Sequence, residues 1–149
     1  MQPKRTDQVE DLAQIEVVVF MQSVDLFRYC RAEELLRLAR ISRQRRYGAG
    51  ETIYSAGERP DGIYCVVRGE VALDGESGAE RRIAPLYTFG VRGVLTGRMR
   101  VASARAATDS LVLFFEAEDF FDLLAHNIDI VRALFRQLLA AQRNEEASR

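Results

Sequence analysis

The sequence contains a single histidine, His126, and that scarcity excludes a whole class of chemistry. A metal-dependent enzyme built on a cupin-like roll needs several His and carboxylate ligands inside the barrel. One histidine cannot supply them, and His126 has no neighbouring nucleophile; it reads as a surface residue ahead of a helix. There are two cysteines, Cys30 and Cys65, and neither belongs to a CxxC pair. Zinc therefore has no support, and both read as small buried hydrophobes in a reducing compartment. A secretory leader is missing, because Met1 to Glu10 is polar with no apolar segment behind a basic start. The longest apolar run, Val17 to Met21, is too short to span a bilayer. Charge of one sign is missing too. With 21 basic and 22 acidic residues the net charge is -1, which gives no electrostatic argument for nucleic acid. No repeat and no low-complexity stretch is present. Together these absences predict a cytoplasmic protein, or the cytosolic part of something larger, with no sign of an enzyme. They predict no metal or cofactor, no direct nucleic-acid partner and no membrane contact in this segment.

What is present suits one domain. The chain has 149 residues, and 48% of them are hydrophobic, enough to fill a core. Residues 1–7 read as a loose tail, 8–144 as the domain, and 145–149 as a frayed tail. From Asp7 to about Gln22, Val9, Leu12, Ile15 and Val19 recur at helical spacing. The β-branched run Val17-Val18-Val19-Phe20 argues for a strand instead. Asp7 as a cap and the lack of a turn signal favour helix. Ala32 to Arg40 is a second short helix with Leu35, Leu36 and Ala39 as its apolar side.

At Ser42 the pattern changes to short alternating runs. All ten glycines lie between Gly48 and Gly97. Glycine supplies the positive φ that tight turns need. Strands are expected at Thr52–Tyr54, Ile63–Val67, Val71–Leu73, Arg82–Ala84, Arg100–Ala106 and Leu111–Phe115. The polar stretch Asp74 to Arg81 is a hairpin tip, and Arg43, Arg45 and Arg46 form a solvated edge beside a strand. Short strands at this spacing suggest a sandwich, barrel or jelly roll. After Glu116 the helical period returns. Glu118–Leu124 forms a short helix, and Asn127 caps a longer one whose stripe is Ile128, Val131, Leu134, Phe135, Leu138 and Leu139. That stripe reads as core before it reads as a dimer seam. The fold class is α+β, a β-roll flanked by helices at both ends of the sequence.

The segment Phe89-Gly90-Val91-Arg92-Gly93-Val94-Leu95-Thr96-Gly97 carries the chemistry. A glycine turn opens a short apolar helix inside a β-rich region. Its first N–H groups have no helical partners, and they face an anion well. Arg100 follows at the start of an alternating run, and its planar guanidinium suits a phosphate. By spacing alone, glycine turns and a surface or ion-paired arginine are equally common in β proteins.

The order Gly50-Glu51-Thr52-Ile53-Tyr54, Gly57-Glu58, Asp61-Gly62-Ile63-Tyr64-Cys65-Val66-Val67-Arg68-Gly69-Glu70-Val71 resembles the cyclic nucleotide-binding family. That family includes the catabolite activator protein, the regulatory subunits of cAMP-dependent protein kinase and cyclic nucleotide-gated channels. Upstream, Val24-Asp25-Leu26-Phe27 followed by Glu33-Glu34-Leu35 resembles the family's N-terminal segment. Phe89-Gly90 through Arg100-Val101-Ala102-Ser103-Ala104 is similar to its phosphate-binding cassette, and Asp119 to Leu124 to the start of its C-terminal helices. The resemblance runs in order from about residue 15 to 140.

The resemblance implies a double-stranded β-helix, a jelly-roll-like β-roll, that binds cAMP, cGMP or a similar small anion. It puts Arg100 on the family's phosphate-binding arginine and Gly90 on the cassette glycine. The backbone around Arg92, Gly93 and Val101 falls where main-chain N–H groups meet the cyclic phosphate. Ile83, Leu86 and Leu95 are candidates for the apolar wall. Val91 stands where the family has a Glu that accepts from the ribose 2′-OH. Valine cannot accept that bond, so the ribose half of the site departs from the pattern. The resemblance further implies a C-terminal helix that lids the pocket, relays occupancy and pairs with a second copy as a homodimer. Two readings stay open at this point: a ligand-sensing regulatory module, and a degenerate domain used for protein contact. A helix-turn-helix regulator does not fit, because no recognition helix follows Leu139 before Arg149.

Overall fold

A computed structural model describes residues 11–75 and 78–147. The chain runs through helix α1 (Gln14–Met21), a 3-10 turn (Asp25–Phe27) and helix α2 (Ala32–Ile41). Strands β1 (Ser42–Tyr47), β2 (Thr52–Tyr54), β3 (Gly62–Arg68), β4 (Val71–Asp74), β5 (Glu80–Ile83) and β6 (Thr88–Phe89) follow. Helix α3 (Val91–Thr96), strands β7 (Ser103–Ala106) and β8 (Ser110–Glu116), and helices α4 (Ala117–Ala125) and α5 (Ile128–Ala147) complete it. Two antiparallel four-stranded sheets form the roll, in the orders β1-β8-β3-β6 and β2-β7-β4-β5.

Strands β3 and β8 divide the core. They pair antiparallel, from Gly62 opposite Glu116 to Val66 opposite Val112. Successive side chains on a strand point to opposite faces. Ile63, Cys65, Val67, Leu111, Leu113 and Phe115 therefore face the helices, where Met21, Phe27, Leu35, Leu38, Phe120 and Ile130 meet them. Tyr64, Val66, Val112 and Phe114 face the inside of the roll, with Tyr54, Val71, Ile83 and Phe89. Tyr64 organises that inner core. Its ring stacks on Phe89 at 5.0 Å and meets Phe114 at 4.9 Å, while its hydroxyl donates to Asp61 Oδ2 at 2.8 Å. A fully buried strand pair explains the continuous apolar runs at Ile63–Val67 and Leu111–Phe115, which alternation alone would not produce.

The ends of several elements differ from the sequence expectation. Asp7 and Val9 lie outside the described residues. Leu12 precedes α1, because the Gln44 side chain takes both of its backbone groups, at 2.6 and 2.7 Å. Glu16 then reaches back to the Ala13 N–H at 2.8 Å and starts the helix. The buried face of α1 is Val17, Val18 and Met21, and Ile15 and Val19 are exposed. In α2, Leu38 replaces Leu36 on the buried side. The basic cluster is itself the edge strand β1, pairing Arg43 with Phe114 and Arg45 with Val112. Arg45 covers the Phe114 ring at 3.6 Å from its centroid, so a strand with little apolar content still shields the core.

Strands β4 and β5 pair as a hairpin, but Asp74, Glu80 and Arg81 of the expected tip belong to its ladder, and residues 76 and 77 lie outside the described residues. Strand β7 is shorter than Arg100–Ala106. Residue 100 exchanges backbone bonds with Gly57 and Glu58 (2.7 and 2.8 Å) before the ladder begins. Asn127 does not cap α5 with its side chain; that amide donates to Leu123 O at 2.8 Å and closes α4. Helix α5 continues to Ala147, past the point where its sequence turns polar. Its stripe is only partly core. Of its expected residues only Leu134 is buried, Ile128, Phe135, Leu138 and Leu139 are exposed, and Ile130 and Ala133, outside the stripe, supply the rest of the buried face. No helix among the described residues is long and apolar enough to cross a membrane.

Candidate ligand-binding site

Gly90 takes a left-handed conformation (φ 78) and opens the six-residue α3, and Gly97 (φ 71) closes it. Both positions need glycine's freedom of φ. Arg100 lies beneath this turn with 6% of its surface exposed. Its Nη1 donates to Gly90 O at 2.6 Å, and its Nη2 donates to Gly62 O at 2.7 Å and Asp61 Oδ1 at 3.2 Å. The guanidinium sits over the Tyr54 ring, 4.2 Å from the centroid. Its Nε is buried without a hydrogen-bond partner among the described residues. Two glycines make room for this group: a Cβ at Gly90 would lie 2.9 Å from Nη1, and one at Gly93 would lie 3.2 Å from it. Gly93 weakens α3 as a helix, but packing against Arg100 accounts for it.

A cavity of about 940 Å³ opens between this turn, the mouth of the roll and α5. Gly90, Val91, Arg92, Gly93, Arg100 and Val101 all border it. Three of the proposed wall residues stand elsewhere. Ile83 is buried in the core inside the roll and does not border the cavity. Leu86 adopts φ 80 and uses its backbone to bridge Asp25 and Val66, which carries its side chain outside the lining. Leu95 lines a separate small apolar groove with Leu124, Leu134 and Leu138. Val91 borders both spaces and packs against the helical core.

The sequence reading missed the opposite walls. Tyr54, Leu73 and Arg81 come from the roll, Asp25 and Thr88 from its base, and Gln137, Leu138 and Ala141 from α5. Arg81 had a signal, since it alternates with the apolar Ile83. Gln137 is a polar break beside the stripe of α5. Asp25 had none, because its place depends on long-range bonds. Its carboxylate accepts from the Leu26 N–H at 2.7 Å and from the Thr88 hydroxyl and N–H at 3.2 and 3.3 Å. Burial nevertheless pushes its pKa above the ordinary aspartate value. Among the described lining residues it is the one carboxylate, against Arg81, Arg92, Arg98 and Arg100. The described lining thus carries more basic than acidic side chains, with Arg100 paired to Asp61 at 3.2 Å. His126 is exposed, with its Nδ1 beside Asp122 O at 2.9 Å, away from the cavity. No group of three His, Cys, Asp or Glu that could hold a metal occurs among the described residues.

The model of the cyclic nucleotide-binding domain matches residues 44–127, from the first strand to the end of α4. The chain belongs to the cyclic nucleotide-binding domain family. The domain is 27% identical over 133 residues to a cGMP-dependent 3′,5′-cGMP phosphodiesterase A of Dictyostelium discoideum, covering 89% of this chain and 15% of that protein. Among solved structures, the Thermus thermophilus catabolite activator protein superposes with a TM-score of 0.67 at 30% identity, covering 83% of this chain and 60% of the other. A structure described with a cyclic-GMP-dependent signalling pathway that regulates bacterial phytopathogenesis superposes at 0.66 and 32% identity, covering 76% and 94%. The cyclic nucleotide-binding domain seen here thus spans a small part of its curated relative.

Proposed function

We propose that this domain is a non-catalytic sensor module that takes cAMP, cGMP or a related small phosphate ligand into the 940 Å³ cavity. One observation carries the reading: the glycine turn with Arg100 and the α5 residues Gln137, Leu138 and Ala141 border the same space. A ligand there touches the roll and the helix together, so occupancy biases the position of α5. Arg100 supplies a buried cation with one unpaired N–H. The phosphate competes with Asp61 and two carbonyls for the rest of that guanidinium. Val91 offers no acceptor to a ribose hydroxyl, which costs about 1–3 kcal/mol, so binding is weak for the family.

Calorimetry and thermal shift with cAMP and cGMP up to millimolar concentration test this. A ligand at 100 times its dissociation constant stabilises by about 2.7 kcal/mol. Binding that Arg100→Glu abolishes in a folded variant supports the reading; no response to either nucleotide overturns it.

A second reading has its own observation. The Arg100 guanidinium is already occupied, and Phe135 and Leu139 stand 61% and 62% exposed on α5. A degenerate domain that pairs with a second copy through α5 accounts for both. Sedimentation equilibrium that shows a dimer, broken by Phe135→Ser with Leu139→Ser, together with no nucleotide response, selects it.

A further inference from the structure

We infer that the ligand of this domain carries a short apolar arm beside its phosphate, and that the groove between α3, α4 and α5 takes that arm. The inference rests on the sensor reading above and names a ligand class for it. The groove has a volume of about 50 Å³. Ile63 reaches it from β3, Leu95 from α3, Phe120 and Leu124 from α4, and Val131 and Phe135 from α5. Every described residue that lines it is apolar. Such a space offers water no hydrogen-bond partner and favours an apolar guest. Its volume gives room for about four carbon-sized groups.

The groove meets the 940 Å³ cavity, because Leu26, Val91 and Leu138 border both. Val91 directly follows Gly90, whose carbonyl accepts from the Arg100 guanidinium. The cation suited to a phosphate and the junction of the two spaces are therefore held by neighbours in the chain. A ligand anchored at Arg100 has the groove within reach of a short substituent.

Val91 also gives a chemical reason. The resemblance places a Glu here, towards the ribose 2′-OH. A carboxylate at this junction would lose hydration against apolar neighbours. The valine instead packs against the helical core. The substitution that removes the sugar's acceptor thereby carries the apolar wall on from the groove into the cavity. Leu95 and Phe135 keep 41% and 61% of their surface exposed. An apolar arm would take part of that surface out of water.

The experiment is calorimetric titration of wild type with cGMP, 2′-O-methyl-cGMP and 2′-O-propyl-cGMP, with sedimentation equilibrium of the unliganded sample. The ether places an alkyl chain where the ribose hydroxyl faces Val91. The methyl ether is expected to bind at least as tightly as cGMP, since the hydroxyl it caps has no acceptor at Val91. Each further methylene that enters the groove gains about fourfold. The propyl ether should therefore bind about tenfold or more tighter than the methyl ether. These ratios decide the case in wild type, without any variant having to fold. Leu95→Asn puts an amide into the groove wall and brings the propyl-to-methyl ratio near one. Val91→Glu reverses the order, favouring cGMP over both ethers.

A propyl ether that binds no tighter than the methyl ether, or two ethers weaker than cGMP, overturns the inference and leaves the sensor reading intact. So does a propyl gain that survives Leu95→Asn undiminished. A dimer before ligand is added, with no gain along the ether series, assigns the groove to a second copy and also overturns the inference. No response to cGMP or to either ether overturns the sensor reading and this inference with it.

Discussion

Arg100 Nη1 donates to the carbonyl of Gly90 at 2.6 Å, so the cation at the cavity floor also holds the turn that opens α3. A second bond, from Nη2 to Gly62 O at 2.7 Å, ties that turn to the start of β3. The guanidinium is at once a candidate ligand contact and a structural pin. Ligand binding that draws on it must loosen one of these bonds.

Removing the pin should destabilise the protein without any ligand present. Arg100→Leu leaves the Gly62 and Gly90 carbonyls without their donor, at a cost of about 3 kcal/mol. Urea unfolding measures it as a lower midpoint. A midpoint unchanged from wild type would show that these bonds hold nothing.

Two glycines should respond very differently to one methyl group. At Gly62 a Cβ would lie 2.3 Å from Phe115 O and 2.5 Å from the Phe114 ring. Gly62→Ala should therefore cost about 3 kcal/mol or more, or prevent folding. Gly57 has φ +90 but open space around it, so Gly57→Ala should cost only about 1 kcal/mol of backbone strain. Thermal melts of the two variants, side by side, check the contrast.

Supplying the missing acceptor should strengthen nucleotide binding. Val91 borders the cavity, and Val91→Glu is expected to raise cGMP or cAMP affinity about tenfold or more. The 2′-deoxy analogues are the control, because they lack the hydroxyl and should gain nothing. An equal gain for both would assign the effect to something other than the ribose.

Burial, with the negative charge of Glu34 adding to it, pushes the Cys30 thiol up to about 12. An unfolded cysteine ionises near about 8.5. The native state thus favours the neutral thiol. Its contribution to stability is whole below that lower value and is lost as pH rises towards 12. Wild type should lose stability above pH 8.5 more steeply than Cys30→Ala, as measured by urea unfolding across that range. Native protein should also react slowly with iodoacetamide at pH 8, since little thiolate is present.

Much of the architecture was legible because it depends on local rules. Gly90 and Gly97 take the positive φ that the sequence suggested, and α3 lies between them. The apolar run Leu111–Phe115 is the buried strand it resembled. Strand β1 was not legible as a strand. Ser-Arg-Gln-Arg-Arg-Tyr has no alternating apolar face, and only its ladder with β8 and the Arg45–Phe114 contact make it one. The stripe on α5 was legible as a stripe, but its burial was not, because that depends on how much of the helix other elements cover.

The candidate site divides along the same line. The sequence by itself determined the glycine-bounded turn and short helix from Gly90 to Gly97, because those residues are neighbours in the chain and their turn chemistry is local. Only the tertiary structure decided that Arg100 is spent on two carbonyls, that Ile83, Leu86 and Leu95 leave the wall, and that Tyr54, Arg81, Asp25 and Gln137 join it. Those facts turn on which side of a twisted strand or helix faces the cavity, and on bonds between residues such as Asp25 and Thr88, 63 positions apart. No periodicity in a linear sequence encodes such a meeting. It exists only once two sheets and a helix have closed around the same space.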